Sequence, residues 1–138
     1  MIEKTTDLET CMAIRLKVFV EEQHVPVEEE RDAHDETATH LLAVVDGQAL
    51  GTARILRDGT TGKIGRVAVL PQARGTGLGA ALIRAALVEL RATPGVTRAK
   101  LGAQTHAIGF YEKLGFAAYG PEYLDAGIPH RDMALDLA

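Results

Sequence analysis

The chain has 138 residues, of which 46% are apolar and 25% are charged, and this is the composition of an ordinary soluble globular protein. The length predicts one domain over residues 1–138, and the net charge of −4 argues against a general nucleic-acid-binding protein, because phosphate backbones select basic surfaces. No apolar run approaches the length of a membrane span and no signal-peptide core opens the chain, so we expect a cytoplasmic protein without membrane partners.

The amino-terminal segment predicts a short strand followed by a helix. Residues 2–5 fit an edge strand, and 6–9 (Thr-Asp-Leu-Glu) have the spacing of a capping box with Thr6 at the N-cap. Apolar residues then recur at helical spacing as far as Val20. Cys11 lies in this helix as the only cysteine, which excludes an intrachain disulfide and a cysteine metal site. No neighbour in sequence supplies it with a base, so we interpret it as a packed apolar residue.

An acidic stretch follows at 21–36, where eight carboxylates are accompanied by a single arginine. Most of these side chains are expected on a solvated surface. Some of them could instead line a binding site and attract a cationic ligand, because carboxylates that line a cleft raise the local concentration of cations. The candidates for this role are Glu21, Glu22, Asp32 and Asp35.

The middle of the chain predicts three antiparallel strands. Residues 40–45 and 48–57 are joined by Asp46-Gly47, the residue pair that a tight type I′ hairpin prefers. A second glycine-containing turn leads into a strand over 63–70.

The carboxyl-terminal half predicts alternating helices and strands. An amphipathic helix follows the third antiparallel strand, and its connection makes the strand at 98–103 parallel to that strand. A helix at 105–114 and two strands at 116–119 and 130–137, separated by a loop, complete the chain. The predicted fold class is α/β in the broad sense (α+β), with a mixed, mostly antiparallel sheet flanked by helices.

A glycine-rich loop between the third antiparallel strand and the amphipathic helix is the strongest sign of a ligand. Residues 75–79 (Gly-Thr-Gly-Leu-Gly) allow successive N–H groups to converge, and the helix N-terminus adds unpaired donors, which together suit a phosphate or pyrophosphate. A Walker loop is excluded because Ala80 and Ala81 stand where lysine and serine or threonine are needed. A dinucleotide fingerprint is excluded because residues 97–100 carry no carboxylate.

The pattern Arg-x-x-Gly-x-Gly, filled by Arg74, Gly77 and Gly79, resembles the pyrophosphate loop of the GCN5-related N-acetyltransferases, the GNAT superfamily. Residues 107–116 (Ala-Ile-Gly-Phe-Tyr-Glu-Lys-Leu-Gly-Phe) are similar to a second block of that superfamily, and the order of predicted elements matches its fold from end to end. Three further segments resemble the ElaA-like, or YjcF-like, branch of the superfamily, namely 18–26, 101–106 and 123–130.

The resemblance implies acetyl-CoA as the co-substrate. Its pyrophosphate would lie on the N–H groups of the loop, its pantetheine arm would pair with the backbone of the strand before the loop, and Gln104 would contact that arm. A backbone N–H of the same strand could stabilise an oxyanion. The cofactor-binding residues expected on this basis are Val67, Ala68, Val69, Arg74, Gly75, Thr76, Gly77, Leu78, Gly79, Ala80 and Gln104.

The resemblance also implies an acid for catalysis, whereas the base stays open. Tyr111 matches the tyrosine that protonates the leaving thiolate in many GNAT enzymes, and a phenol can make that donation. An amine acceptor must first lose a proton, and the candidate bases are Glu21, Glu22, Asp35, His40 and His130, of which we place Glu22 in the catalytic set. Acceptor binding is assigned to Glu21, Arg66 and His130. The histidines lack the spacing of metal ligands, so no metal site is expected.

The sequence therefore predicts an N-acetyltransferase that moves the acetyl group of acetyl-CoA to a primary amine, with a cationic small molecule favoured as acceptor. Direct attack in a ternary complex is favoured over a covalent enzyme intermediate because the only thiol lacks a partner. Two alternatives stay open: an acyl-CoA-binding sensor without catalysis, and O-acyl transfer or transfer of a longer acyl chain. The last strands could also pair across a homodimer.

Overall fold

A computed structural model describes residues 1–137. Its centre is one mixed sheet of seven strands in the order β1-β2-β3-β4-β5-β7-β6. Every neighbouring pair is antiparallel except β4 and β5, which confirms the predicted mixed, mostly antiparallel sheet flanked by helices. The elements in chain order are β1 (Ile2–Thr5), α1 (Leu8–Arg15), α2 (Val27–Glu30), β2 (Thr39–Val45), β3 (Gln48–Asp58), β4 (Thr61–Val69), α3 (Leu78–Arg91), β5 (Arg98–Gln104), α4 (Ile108–Glu112), β6 (Ala117–Asp125) and β7 (Ile128–Asp136).

The first helix begins one residue later than the predicted capping box. Asp7, not Thr6, is the N-cap, and its carboxylate accepts hydrogen bonds from the backbone N–H of Thr10 at 3.1 Å and from the Thr10 hydroxyl at 2.6 Å. Aspartate is at least as good a cap as threonine, so the two adjacent residues compete for the role. Beyond α1 the chain widens into a π-helix over Leu16–Glu22. Such wide turns are frequent at functional sites.

The antiparallel half of the sheet contains a type I′ hairpin and a bulge. Asp46 and Gly47 both have positive φ, at 51° and 78°, which confirms the hairpin. Further along, Thr52 pairs with Ala68 and Arg54 pairs with Gly65. Two residues of β4 therefore stand opposite one residue of β3, and such a bulge bends the strand and leaves the extra residue unpaired.

The core lies between the sheet and α3. The apolar stripe of α3 is buried as predicted, with Leu82 and Ile83 fully enclosed. Gly62 on β4 allows this close packing, because a Cβ at that position would clash with a methyl group of Leu90. This contact holds the C-terminal end of α3 against the end of the sheet where β4 and β5 are paired, and the glycine loop lies at the opposite end of the helix.

The last two strands are longer than the sequence indicated. The predicted loop between 119 and 130 is instead the tip of a hairpin, in which Ala126 and Gly127 form a turn with φ values of 50° and 78°. Pro121 falls where the β6–β7 register shifts, and Pro129 lies beyond the last residue of β7 that pairs with β5. Neither proline therefore removes a needed ladder bond. The hairpin reaches the cleft described below, and β6 is an edge strand.

Candidate active site

A cleft of about 380 Å³ opens where β4 and β5 separate. The two parallel strands pair only through Thr61, Gly62 and Lys63 of β4, and beyond these residues the pairing ends. The π-helical segment, α4 and the β6–β7 hairpin close the sides of the opening. The cleft is lined by Phe19, Gln23, Val25, Glu29, Glu30, Ile64, Gly65, Arg66, Val67, Leu101, Gly102, Gln104, Ala107, Tyr111, Tyr123, Asp125, Ala126, Ile128 and His130.

The bulge of β4 lies on the wall of this cleft. Arg66 has a φ of 50°, a left-handed conformation that is uncommon for residues other than glycine, and with Val67 it stands opposite a single residue of β3. Both residues line the cleft. Ala68, by contrast, is buried beneath the strand, and Val69 is half-buried outside the cleft lining. The backbone of this short segment is therefore turned out of the regular β3–β4 ladder at the place where the sheet opens.

The glycine loop presents a row of free donors. Gly75 and Gly77 have φ values of 78° and 85°, and Gly77 is the N-cap of α3. The first backbone bond of the helix is donated by Ala81, and none of the N–H groups from Gly75 to Ala80 donates a backbone hydrogen bond. A run of consecutive free N–H groups at a helix N-terminus is suited to an anion. The loop thus fits the pyrophosphate of a CoA-type molecule.

The side chain of Arg74 pairs with Glu22, the last residue of the π-helical segment. Its Nη1 and Nη2 donate to the two carboxylate oxygens of Glu22 at 2.7 and 2.6 Å, and its Nε donates to the carbonyl of Val69 at 3.1 Å. The hydrogen bonds from Arg74 hold the pKa of Glu22 below its usual value. Glu22 does not line the cleft. Its carboxylate is engaged at the loop, so the geometry gives the catalytic role predicted for Glu22 no support.

Tyr111 reaches the cleft from α4. Its ring packs edge-on against Phe110 and Phe116, with ring centroids 5.0 and 6.2 Å away. Burial raises the pKa of the phenol, which therefore stays protonated and can donate. The hydroxyl makes no hydrogen bond within residues 1–137 and is not among the polar atoms sealed from solvent, so it is free to act in the cleft.

Gln104 lies at the end of β5 with both ends of its amide engaged. Its Nε2 donates to Oε1 of Gln23 at 2.8 Å, and its Oε1 is 2.7 Å from Nε2 of His106, which donates. The side chain therefore joins β5 to the end of the π-helical segment. The contact predicted between Gln104 and the cofactor arm stays a prediction, and it would use the lone pairs that the amide oxygen has left.

His130 lines the cleft from β7, directly across the β5–β7 ladder from Gln104. Its Nδ1 is 2.7 Å from the carbonyl oxygen of Ile128. Its ring stacks on Tyr123, with centroids 5.8 Å apart and planes at 22°, and the Tyr123 hydroxyl donates to Asp132 at 2.8 Å. Sequence reasoning missed Tyr123, because the predicted loop hid the hairpin that carries it.

A buried ion cluster lies beneath the acidic wall of the cleft. Arg15 donates to Glu30 and Asp35 at 2.7 Å each, and Arg54 donates to Asp35 at 3.1 Å and to Asp32 at 2.7 Å. Arg15, Glu30 and Asp35 are each at most 2% exposed. Glu30 and Asp35 are therefore exceptions to the expected solvated surface, because these carboxylates neutralise arginines contributed by α1 and β3.

The pKa values of Glu30 and Asp35 in this cluster are shifted in opposite directions. Burial is the largest influence on Asp35 and acts to raise its pKa, but hydrogen bonds from Arg15, the Asp32 backbone and Arg54 together hold the pKa well below its usual range. Burial raises the pKa of Glu30 despite its bond to Arg15. Asp35 is thus committed to its arginines and is not placed to accept a proton from an acceptor.

The remaining predicted residues divide between the cleft and the surface. Arg66 contacts the acidic stretch through long hydrogen bonds of 3.3 and 3.4 Å to the carbonyls of Glu30 and Glu29, and through an equally long one to Asp32. Glu21 is exposed and does not line the cleft. Among residues 1–137, no group of histidine, cysteine, aspartate and glutamate is arranged to hold a metal, and no helix is long and apolar enough to cross a membrane.

Comparison with known proteins agrees with this geometry. A family model described as an acetyltransferase (GNAT) domain matches residues 4–137. The chain is 36% identical over 130 residues to the uncharacterized N-acetyltransferase YjcF of Bacillus subtilis, covering 94% of this chain and 92% of YjcF.

Two solved structures extend the comparison. Escherichia coli ElaA superposes with a TM-score of 0.85 at 30% identity, covering 98% of this chain and 99% of ElaA. An acyl-CoA N-acyltransferase from Pseudomonas aeruginosa superposes with a TM-score of 0.86 at 34% identity, covering 98% of this chain and 97% of that one. With the separation of β4 and β5, the bulge and the glycine loop, these matches confirm the resemblance drawn from the sequence. The chain belongs to the GNAT acetyltransferase domain family, and it is an acyltransferase of the acyl-CoA-dependent kind.

Proposed function

We propose that the protein transfers the acetyl group of acetyl-CoA to a primary amine of a small-molecule acceptor, by direct attack while both substrates are bound. The observation that carries the proposal is the free hydroxyl of Tyr111 in the cleft where β4 and β5 separate. An acid held at that opening, next to a strand whose backbone is turned out of its ladder, fits the chemistry of thioester aminolysis.

The donor side of the proposal rests on backbone groups. The free N–H groups from Gly75 to Ala80 would hold the pyrophosphate, with the glycines of the loop leaving their approach open. The residues of this cradle are Arg74, Gly75, Thr76, Gly77, Leu78, Gly79 and Ala80. The backbone of Val67, Ala68 and Val69 would line the pantetheine arm, and an N–H at the bulge would stabilise the negative charge that develops on the thioester oxygen.

The acceptor side of the proposal rests on the charged walls of the cleft. The carboxylates of Glu29 and Asp125 line it, with Arg66 between the acidic stretch and the opening. Unpaired carboxylates favour an acceptor with positive charge. The hydrogen bonds and ion pairs that the Arg66 guanidinium makes with the acidic stretch are all 3.3 Å or longer. The guanidinium can therefore turn toward an acceptor group without losing a strong hydrogen bond.

The experiment is free-thiol release from acetyl-CoA in the presence of a panel of acceptors. The panel contains ethylamine, 2,2,2-trifluoroethylamine, spermidine, lysine, glucosamine, a peptide with a free N-terminus and a hydroxyl acceptor. Tyr111→Phe removes only the hydroxyl, so its ring packing against Phe110 and Phe116 remains. We expect amine-dependent release, reduced in Tyr111→Phe by about 10²- to 10⁴-fold in kcat at unchanged acetyl-CoA affinity.

Tyr119→Phe is the matched control, because it removes the same hydroxyl outside the cleft lining and keeps the ring that Arg98 contacts. Its activity should remain close to that of the wild type. Binding of acetyl-CoA without release in any acceptor would contradict the transfer reaction and favour a sensor. Equal release by wild type and Tyr111→Phe would retain the enzyme and remove the tyrosine from its mechanism.

A further inference from the structure

We propose that His130 is the general base that takes a proton from the acceptor ammonium. The inference rests on the proposed amine acetylation and assigns a residue to the step that the sequence left open. It is carried by three observations: the hydrogen bond that fixes the tautomer of the ring, the contacts that fix its orientation, and the state of the other candidate bases.

The hydrogen bond to Ile128 determines which nitrogen is free. A carbonyl oxygen can only accept, so the 2.7 Å contact requires that Nδ1 of His130 carries a proton and donates it. In the neutral imidazole the lone pair is then on Nε2. Nε2 has no hydrogen-bond partner within residues 1–137, and it is not among the polar atoms sealed from solvent. The residue is 9% exposed and lines the cleft, so this lone pair is available there.

The ring is held in place from both neighbouring strands. Tyr123 of β6 stacks on it, and the Tyr123 hydroxyl is itself anchored on Asp132 of β7 at 2.8 Å. A Cβ on Gly102 of β5 would lie 2.5 Å from that hydroxyl oxygen, so the glycine is needed for Tyr123 to occupy this position. A base oriented by a backbone acceptor and by a clamped aromatic ring needs little reorganisation to receive a proton.

The other candidate bases are occupied or misplaced. Glu22 is paired with Arg74, and Asp35 is paired with Arg15 and Arg54. Nε2 of His40 donates to the Asp35 carbonyl at 2.8 Å, so its lone pair is on Nδ1, which is sealed from solvent without a partner. Glu21 lies outside the cleft lining. His130 alone among the five combines a free lone pair with a place in the cleft.

The charged and titratable groups that surround His130 come from every wall of the cleft. On its own hairpin are Tyr123, Asp125, Arg131 and Asp132; α2 and β4 contribute Glu29, Glu30 and Arg66; and α4 contributes Tyr111. Arg131 donates to the Gly120 carbonyl and Glu30 accepts from Arg15, so neither is free to exchange a proton with an acceptor. Asp125 and Glu29 would hold the ammonium beside the imidazole, which suits a cationic acceptor.

In the proposed reaction His130 and Tyr111 handle different protons. The ammonium of the acceptor gives one proton to Nε2 of His130, its nitrogen forms the C–N bond to the thioester carbonyl carbon, and the C–S bond breaks. Tyr111 gives its hydroxyl proton to the leaving sulfur and recovers one from the nitrogen of the new amide. The proton on His130 passes to solvent, so one ammonium and one thioester give one amide, one thiol and one proton.

The first test measures the tautomer in the wild-type protein. Long-range proton–nitrogen correlation in ¹⁵N-labelled protein distinguishes the two neutral forms, and His130 is assigned among the five histidines by its contacts with the Tyr123 ring. We expect a protonated Nδ1 and a bare Nε2 in the neutral ring. A protonated Nε2 with a bare Nδ1 would overturn the proposal whatever the kinetics show.

The second test compares His130→Gln with the wild type in thiol release from saturating acetyl-CoA. Ethylamine is almost fully protonated at neutral pH and needs a base, whereas 2,2,2-trifluoroethylamine is mostly unprotonated and does not. We expect kcat/KM to fall by about 10²- to 10⁴-fold for ethylamine and by less than about 10-fold for the fluorinated amine.

Exposed His34→Gln is the matched control, since its side chain lies outside the cleft. Thermal melting and acetyl-CoA affinity report whether His130→Gln is folded. Equal losses for the two amines would overturn the base while leaving the acetyltransferase intact. Absence of release by the wild type with every amine would overturn the proposed function itself, and the base with it.

Discussion

Replacing Arg15 with methionine would leave two buried carboxylates without their main partner. Arg15 is 1% exposed, and its three guanidinium nitrogens donate to Glu30 and Asp35, including the Glu30 carbonyl at 2.7 Å. Breaking a buried ion pair by removing one member costs about 3–5 kcal/mol. The lower end applies here because Arg54 still reaches Asp35 at 3.1 Å and Arg66 reaches Glu30 at 3.3 Å. We expect a loss of about 3 kcal/mol in the free energy of unfolding, which corresponds to roughly 10 °C in Tm.

The assay is urea unfolding followed by circular dichroism at pH 7 and at pH 4.5. The difference between wild type and variant should narrow at the lower pH, because the unpaired carboxylates of the variant can then be neutralised by protonation. Lys4→Met removes an exposed ion pair with Glu89 and should change the free energy of unfolding by less than about 1 kcal/mol. A loss below about 1 kcal/mol in Arg15→Met, or one that does not vary with pH, would refute the reasoning.

Three further predictions concern the loop, the ion cluster and the hairpin. Glu22→Gln should bind acetyl-CoA a few-fold more tightly in calorimetric titration at low salt, because Arg74 no longer has to leave a carboxylate; weaker binding would contradict this. The folded-state pKa of Asp35 lies below its usual value of 3.8, so the stability it contributes is present above that value and is lost as the pH falls through the folded pKa. The free energy of unfolding should therefore fall below about pH 4 in the wild type and vary less in Asp35→Asn, and parallel acid titrations of the two would count against it. Gly102→Ala should displace the Tyr123 hydroxyl and so lower the rate of thiol release while leaving Tm nearly unchanged. An unchanged rate would show that the stacking of Tyr123 on His130 is not needed for activity.

Local patterns in the sequence were sufficient for much of the fold. Asp46-Gly47 predicts its hairpin because a two-residue turn with positive φ at both positions selects few residue pairs. The glycines at 75, 77 and 79 likewise predict a loop whose N–H groups stay unpaired, and the structure has that loop at the start of α3. In both places the conformation is determined by the backbone preferences of adjacent residues.

The parts that could not be predicted depend on residues far apart in the chain. Arg15 meets Asp35 across 20 positions and Arg74 meets Glu22 across 52, and no local pattern marks such partners. The β6–β7 hairpin was missed because Pro121 and Pro129 are atypical of paired strands, and only the full sheet shows that both occupy positions where no ladder bond is needed. The candidate base could not be selected for the same reason, since its tautomer depends on a folded hairpin.

The short pairing between β4 and β5 makes the width of the cleft sensitive to small rotations of one strand against the other. Three residue pairs join β4 to β5, whereas seven join β5 to β7. The part of the sheet formed by β1 to β4 is therefore connected to the part formed by β5, β7 and β6 only at one end of the opening. Residues 64–69 of β4 pair with β3 but not with β5, and they span about 20 Å at 3.3 Å per residue. A rotation of about 5° between the two parts of the sheet therefore moves the far end of this stretch by about 1.7 Å relative to β5. That displacement exceeds the rise of one methylene along an extended acyl chain. The width of the cleft therefore depends on how firmly the three β4–β5 pairs hold the two strands at a fixed angle. Gly62 is the middle residue of β4 in these pairs, and Leu90 of α3 packs directly on it, so this contact resists the rotation.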